Sequence, residues 1–235
     1  MSYGGTNQTA PFTTSAAVGY QTAISAASQF SSSGSAYTFG SWSDGGARAR
    51  NYTVPPTDTT LTASYTATPP LAVSTAPQGS WVGSYGAAGY GLAAWNGSSD
   101  LTSLANATVS LVQGNRYIWA SSTSDVRALQ SPDRSTRRAA TWYEPFAGTM
   151  KLRLNFAAAY TGNLRLYAVD WDASGRRQTI TVNDGSGDRT ANLNTDFSQG
   201  AWATAPINVA AGGSVNISVT RTGDSNPVLS GIFLN

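Results

Sequence analysis

From Met150 the chain alternates without a break: Met150, Leu152, Leu154 and Phe156 are separated by Lys151, Arg153 and Asn155. A period of two places the first set on one face of a strand and the second on the other, which predicts a half-buried β-strand. The pattern returns in Leu164, Leu166 and Ala168 after the turn signal Thr161-Gly162-Asn163, and again in Thr179 to Asp184 before Gly185-Ser186-Gly187. Val215, Ile217 and Val219, and then Val228 to Leu234, close the chain in the same way. Short strands at regular spacing, punctuated by Gly, Asn and Asp and lacking any helical stripe, predict an antiparallel sandwich, with a jelly roll as the favoured form.

The first third also reads as short strands. Val18 to Ala26 alternates loosely, Tyr37, Phe39 and Trp42 are interleaved with small residues, and Asn51 to Val54 and Leu61 to Tyr65 follow. Ser43-Asp44-Gly45-Gly46 is a turn signal, because glycine adopts positive φ without a steric penalty. The stretch Ala67 to Ser80 contains Pro69, Pro70 and Pro77, no charge and little periodicity. It predicts a semi-rigid linker. The expected organisation is all-β: a small β unit over 1–67, a linker over 68–79 and a sandwich over 80–235.

Composition narrows the chemistry. The 235 residues include no His, no Cys, one Glu (Glu144) and one Lys (Lys151), but seven Trp and eleven Tyr. Histidine is the usual acid or base near neutral pH, and cysteine the readiest nucleophile and soft metal ligand, so most catalytic designs are excluded. Aromatic rings in a chain only 11% charged suit stacking on a neutral ligand, or filling a β core. Net charge is +2, and the only basic cluster is Arg134, Arg137 and Arg138, too little for a nucleic-acid partner or strongly salt-dependent binding. No run approaches the roughly 20 apolar residues of a membrane helix. Met1 to Gly5 lacks the basic and then apolar start of a signal peptide, so the natural protein is expected to extend upstream.

Two resemblances follow from particular residues. Phe39, Trp42, Ser43, Asp44, Gly45, Gly46 and Tyr65 fit an aromatic-x-Phe-x-x-Trp-Ser-Asp-Gly-Gly pattern with a final Thr-x-Tyr strand. Residues 8 to 67 thus resemble the bacterial repeats related to internalin B-repeats, which implies a β spacer of surface or secreted proteins. Leu164-Arg-Leu-Tyr-Ala-Val-Asp170 and the closing Leu229-Ser-Gly-Ile-Phe-Leu234, with Gly79 to Gly86 and Trp119 to Leu129 upstream, are similar to malectin-like and galactose-binding-like jelly rolls of bacterial secreted proteins. That resemblance implies a carbohydrate-binding type of module, a polysaccharide or glycan partner, further enzyme or surface-protein domains upstream and a secreted or cell-surface location.

Several constellations are candidates for chemistry. Asp170 and Asp172, read as i and i+2 on a strand, would project from one edge about 6.6–7 Å apart. A glycosidase pair must instead face each other across the scissile bond, so a half-buried carboxylate paired with Arg176 or Arg127 fits Asp170 better than catalysis. Arg165, Tyr167 and Trp171 share the opposite face, either as a sugar platform or as a second buried layer under a loop. Trp81, Tyr85 and Tyr90 lie in a Gly-rich stretch suited to the rim of a sandwich, and Trp142, Tyr143 and Glu144 lie between two strands. With Arg127 these form the expected ligand set. Asp184 and Asp188, together with Asp170 and Asp172, offer hard oxygen ligands for a structural calcium, although no EF-hand spacing is present and a polar turn explains them better. No other cofactor is expected.

Three readings remain open at this point. One is a non-catalytic module that stacks rings on a sugar and hydrogen-bonds its hydroxyls. Another is a structural or adhesive surface module whose rings are core. The last is a carboxylate-based hydrolase on Asp170, Asp172 or Glu144. Exposure of Trp81, Trp142 and Trp171 separates the first two.

Overall fold

Alternation converts into strands throughout the computed structural model, which describes residues 1–235 and contains no helix. In the N-terminal unit, β1 (Ser2–Tyr3), β2 (Thr6–Asn7), β3 (Gln21–Ser25) and β6 (Ala49–Thr53) form one sheet in the order β2-β1-β3-β6. The other sheet holds β4 (Gln29–Ser32), β5 (Ser35–Trp42) and β7 (Ala63–Thr68). Ile24, Ala26, Ala36 and Trp42 are its buried apolar residues. Asp44 accepts from Gly46 N at 3.1 Å, and Gly45 has φ +72°, so the expected turn is made by the expected residues.

The rest of the chain is an antiparallel sandwich of jelly-roll type. Its six-stranded sheet runs β10 (Leu101–Leu104), β9 (Gly89–Leu92), β22 (Gly231–Leu234), β16 (Tyr160–Ala168), β19 (Ala201–Val209), β8 (Ala72–Ser74). The five-stranded sheet runs β11 (Ala107–Gln113), β15 (Thr149–Phe156), β20 (Ser214–Arg221), β17 (Gln178–Asn183), β18 (Arg189–Leu193). A ribbon of β12 (Asn115–Ala120) and β14 (Arg137–Tyr143), flanked by β13 (Leu129–Gln130) and β21 (Val228–Leu229), crosses one end. Between β15 and β20 the chain passes repeatedly from one sheet to the other, and Leu152, Leu154, Leu164, Leu166, Ile217 and Val219 meet in the main core.

The sheet assignments correct the sequence reading in two places. Residues 72–74, inside the expected linker 68–79, are an edge strand: Ala72, Val73 and Ser74 pair with Thr204, Ala203 and Trp202. Leu71 is buried in the main core, so this segment is anchored rather than free. A strand of three residues, bounded by prolines, gives too short a pattern to read. The hairpin after β15 turns at Ala157–Ala159 instead of Thr161–Asn163, which lies within β16. Gly162 is required there by a close approach, since a Cβ would collide with the Asn235 carbonyl oxygen and the Tyr160 hydroxyl.

The two units touch along β18. Thr190 N donates to Gly34 O at 3.0 Å, Ser31 Oγ donates to Asp188 O at 2.8 Å, and the buried Ala36 packs on Gly187. The β4–β5 hairpin thereby covers part of an edge that would otherwise present unpaired backbone groups.

Candidate functional site

The outer face of the six-stranded sheet carries a second core of Trp81, Leu92, Leu129, Tyr167, Val169, Trp202 and Phe233. The Gly-rich segment expected at an open rim folds over it instead. Trp81 is buried, and its indole N–H donates to Gln130 O at 2.9 Å. Tyr90 lies tilted on Trp81 at 4.9 Å. Tyr85 has its ring against Trp202 on one side, at 4.6 Å, and under the Arg165 guanidinium on the other, at 4.2 Å. Tyr167 is buried and donates to Arg127 O at 2.7 Å, while burial pushes its phenol well above the ordinary range. Of the two readings for the Arg165–Tyr167 face, the buried layer is the one found. Trp81 is therefore corrected from a ligand residue to packing, because the sheet's outer apolar face needs a cover, while Tyr85 and Tyr90 lie partly buried against it.

Trp142 is corrected in the same way. It is fully buried in the main core, and its indole N–H donates to Asp100 Oδ1 at 3.0 Å. Asp100 also accepts from Ala94 N at 2.9 Å and takes both Nε and Nη2 of Arg116, tying the loop after β9 to the ribbon. Glu144 is buried and caps its own turn, accepting from Phe146 N at 2.8 Å and Ala147 N at 3.1 Å. Those two bonds lower its carboxyl below the ordinary value, so the residue is committed to the backbone rather than to a ligand.

Asp170 and Asp172 are not on a strand. The ladder of β16 ends at Ala168, and both carboxylates lie in the following turn, where they share Arg176. Asp170 is buried, accepts from Ser174 N at 3.1 Å and Arg176 N at 3.0 Å, and meets Arg176 Nη1 at 2.5 Å. The pairing expected for Asp170 is thus present, and it removes that residue from the ligand set. Asp172 is 43% exposed at its side chain. Burial acts to raise its carboxyl, but the bond and charge of Arg176, with Ser174, outweigh it and leave the value lowered. Two carboxylates on one guanidinium do not oppose each other across a cleft, as a glycosidase pair must. Asp184 is likewise occupied by Arg189 at 3.1 Å, Ser186 and Asn208 N, and Asp188 by Asn183 at 2.7 Å. No three acidic side chains converge at Asp184 and Asp188.

What remains is an aromatic group on the ribbon. Tyr117 and Trp119 lie on β12, and the register shift between Ile118 and Ala120 is a bulge that re-aims the Trp119 side chain. Tyr143 on β14 completes the group. The Tyr117 centroid is 6.0 Å from Trp119 at 83° and 6.0 Å from Tyr143 at 72°, both edge-to-face. Tyr117 is 51% exposed, while Trp119 and Tyr143 rest partly on the main core. Arg176 lies 5.5 Å over Trp119 and reaches Asp172 and Asn226 Oδ1, so polar groups flank the rings.

Each partly exposed tryptophan already has a cation on its ring. Arg127 is 4.5 Å from Trp171, Arg138 is 5.6 Å from Trp95, and Arg176 covers Trp119. Such contacts contribute about 0.5–1 kcal/mol at exposed sites and leave only one ring face for a ligand. Arg127 is itself held by Asp125 at 2.8 Å and by Ser198 O at 3.0 Å, which fixes the guanidinium on the Trp171 ring. Of the expected residues, the structure brings Tyr143 and Asp172 toward a common group. Tyr117 and Trp119 were not in the expected ligand set, although their spacing of two on a short strand was a usable signal.

No protein-family model matches the chain, and no curated protein matches its sequence. Among solved structures it is similar to a family 35 carbohydrate-binding module from an environmental isolate, at 18% identity over 40% of this chain and 72% of that one, with a TM-score of 0.29. It is also similar to a family 35 module from Cellvibrio japonicus, at 12% identity over 55% and 92%, with a TM-score of 0.33. A third match is exo-β-1,3-galactanase from Phanerochaete chrysosporium, at 14% identity and a TM-score of 0.32, which covers 57% of this chain but only 30% of the galactanase.

Proposed function

We propose that this chain is a non-catalytic glycan-binding module whose contact surface is the Tyr117–Trp119–Tyr143 group on the end ribbon. The observation that carries the reading is the half-exposed Tyr117 ring, held edge-to-face between two anchored aromatics with Asp172, Arg176 and Asn226 alongside. A sugar presents C–H faces to such a ring and hydroxyls to such polar groups. Asp172 accepts, and Asn226 both donates and accepts, which suits a neutral polyol. The rings are fixed before binding, so little side-chain entropy is lost on contact. The candidate carboxylates Asp170, Asp172 and Glu144 are engaged in ion pairs and a turn cap, and the chain has no His or Cys, which supports a reading without turnover. Secretion and neighbouring domains belong to the same proposal.

A structural or adhesive role is the second reading. It is favoured by the burial of Trp42, Trp81, Trp142 and Trp202 and by the arginine on each of the other three tryptophans. A glycan array followed by titration calorimetry separates the two. With the glycan that binds, Tyr117→Ala is expected to lose about 1–3 kcal/mol of affinity, the range for a stacked ring, at unchanged melting temperature. If no glycan binds, or Tyr117→Ala binds as tightly as the parent, the structural role takes over.

A further inference from the structure

The outward face of the five-stranded sheet takes no part in either core. Register sets its side chains in rows: Arg153, Asn216 and Asn183 lie side by side across β15, β20 and β17, and Lys151, Ser218 and Thr181 form the next row. These residues, bordered by Val112 and Asp188, line a cleft of about 330 Å³. That volume is at the lower end for small-ligand sites. Lys151 and Arg153 are i and i+2, so they leave the same face about 6.6–7 Å apart.

Two cations on this face are in no ion pair, unlike several of the other basic residues. Arg116, Arg127, Arg176 and Arg189 are paired with carboxylates, and Arg137 and Arg138 donate to backbone carbonyls. Lys151, the only lysine, is in no ion pair, and Arg153 bonds only the Ser214 hydroxyl, at 3.0 Å. The one acid of the cleft, Asp188, accepts from Asn183 at 2.7 Å and is in no ion pair. The cleft therefore has two cations along β15 against one carboxylate at its border, a floor of hydroxyl and amide groups, and no aromatic ring.

We propose that this cleft is a second binding site, for an acidic glycan recognised through its carboxylate. Lys151 and Arg153 take the carboxylate, the Arg153 fork matching its two oxygens. Asn216, Ser218 and Thr181 take the ring hydroxyls. Without an aromatic platform a neutral sugar gains little here, so charge selects the ligand. The site shares its ligand class with the glycan-binding reading but uses none of the ribbon residues.

The test is calorimetric titration of the full chain with a galacturonate tetramer and with its methyl ester, which has the same backbone without the charge. The acid is expected to bind at least tenfold more tightly than the ester. The double substitution Lys151→Gln, Arg153→Gln should weaken acid binding at least tenfold while melting temperature stays the same, since both side chains are exposed. Two cations limit the slope of log affinity against log salt to about two. Equal affinity for acid and ester, no binding of the acid, or an unaffected double variant each overturns the proposal. Tyr117→Ala should lose the neutral glycan and keep the acid, and the double variant the reverse, so the ribbon reading and the cleft proposal fail separately.

Discussion

Replacing Arg176 by Gln tests whether Asp170 is a lock in the fold rather than a group kept for a ligand. The two side chains are 6% and 1% exposed, and Arg176 also holds Asp172, Asn226 and the face of Trp119. Removing one partner of a buried ion pair costs about 3–5 kcal/mol, most of it the penalty of the stranded charge. Two facts reduce that figure here. Asp170 keeps its backbone donors at residues 174 and 176, and the lost guanidinium had a buried Nε without a partner. About 2–3 kcal/mol is therefore expected. At roughly 2–4 °C per kcal/mol for a chain of this size, melting should fall by about 4–12 °C. Differential scanning calorimetry at pH 7 measures it, with urea midpoints as a check. Adding Asp170→Asn to Arg176→Gln should recover part of the loss, because the stranded charge is gone. A fall under about 2 °C, or further loss in the double variant, refutes the reasoning.

Other expectations follow from the same contacts. Trp142→Phe removes the bond to Asp100, which retains Arg116 and Ala94 N, and leaves a cavity where the buried pyrrole ring was; urea unfolding should show a cost of about 2–4 kcal/mol. Asp133 is lowered to about 2 by its bonds to Ser131 and Ser135, and Asp125, Asp172 and Asp184 are also lowered. With folded values below unfolded ones, their contribution is present above the ordinary carboxylate range and lost as pH falls through the folded values, so melting temperature should drop steadily below about pH 4. Tyr167 shifts the other way, so its contribution is lost as pH rises beyond about 10, and with no histidine the curve should be flat from about pH 6 to 9. Limited proteolysis should leave a sandwich fragment that begins before Leu71, since Leu71 is core and residues 72–74 are paired; a stable fragment starting at residue 80 would contradict that pairing.

The parts of the fold that read clearly from sequence are those in which one residue faces the core and the next faces water. β15 is the clearest case: Leu152 and Leu154 are buried while Lys151 and Arg153 are exposed. β14 shows why the site did not read as well. Ala139, Ala140, Thr141 and Trp142 are all buried, because this stretch of β14 is covered on both faces, and alternation then carries no information about which ring is open. Trp142 and Tyr143 looked equivalent in sequence and differ entirely in exposure. At Asp170 and Asp172 the strand pattern was carried past its true end; the turn contains Ala173 at φ +49°, a residue that gives no turn signal in sequence. The Gly-rich segment misled for another reason. Glycines suit a rim loop, but here Gly86 lets backbone lie against Trp81 and Phe233, so the segment closes over the second core. Tyr117 and Trp119 had a legible spacing, but the bulge that sets the Trp119 side chain comes from pairing with β14, which no local pattern reveals.

The most direct test of the central claim is to follow the seven indole N–H resonances by NMR while titrating the glycan selected on the array. The glycan-binding account predicts that the Trp119 signal moves with ligand and saturates. It also predicts that the signals of Trp81, Trp142 and Trp202, whose N–H groups bond Gln130 O, Asp100 Oδ1 and Gln78 O inside the two cores, stay in place. Movement of the buried signals with Trp119 unmoved, or saturation that persists unchanged in Tyr117→Ala, would contradict it.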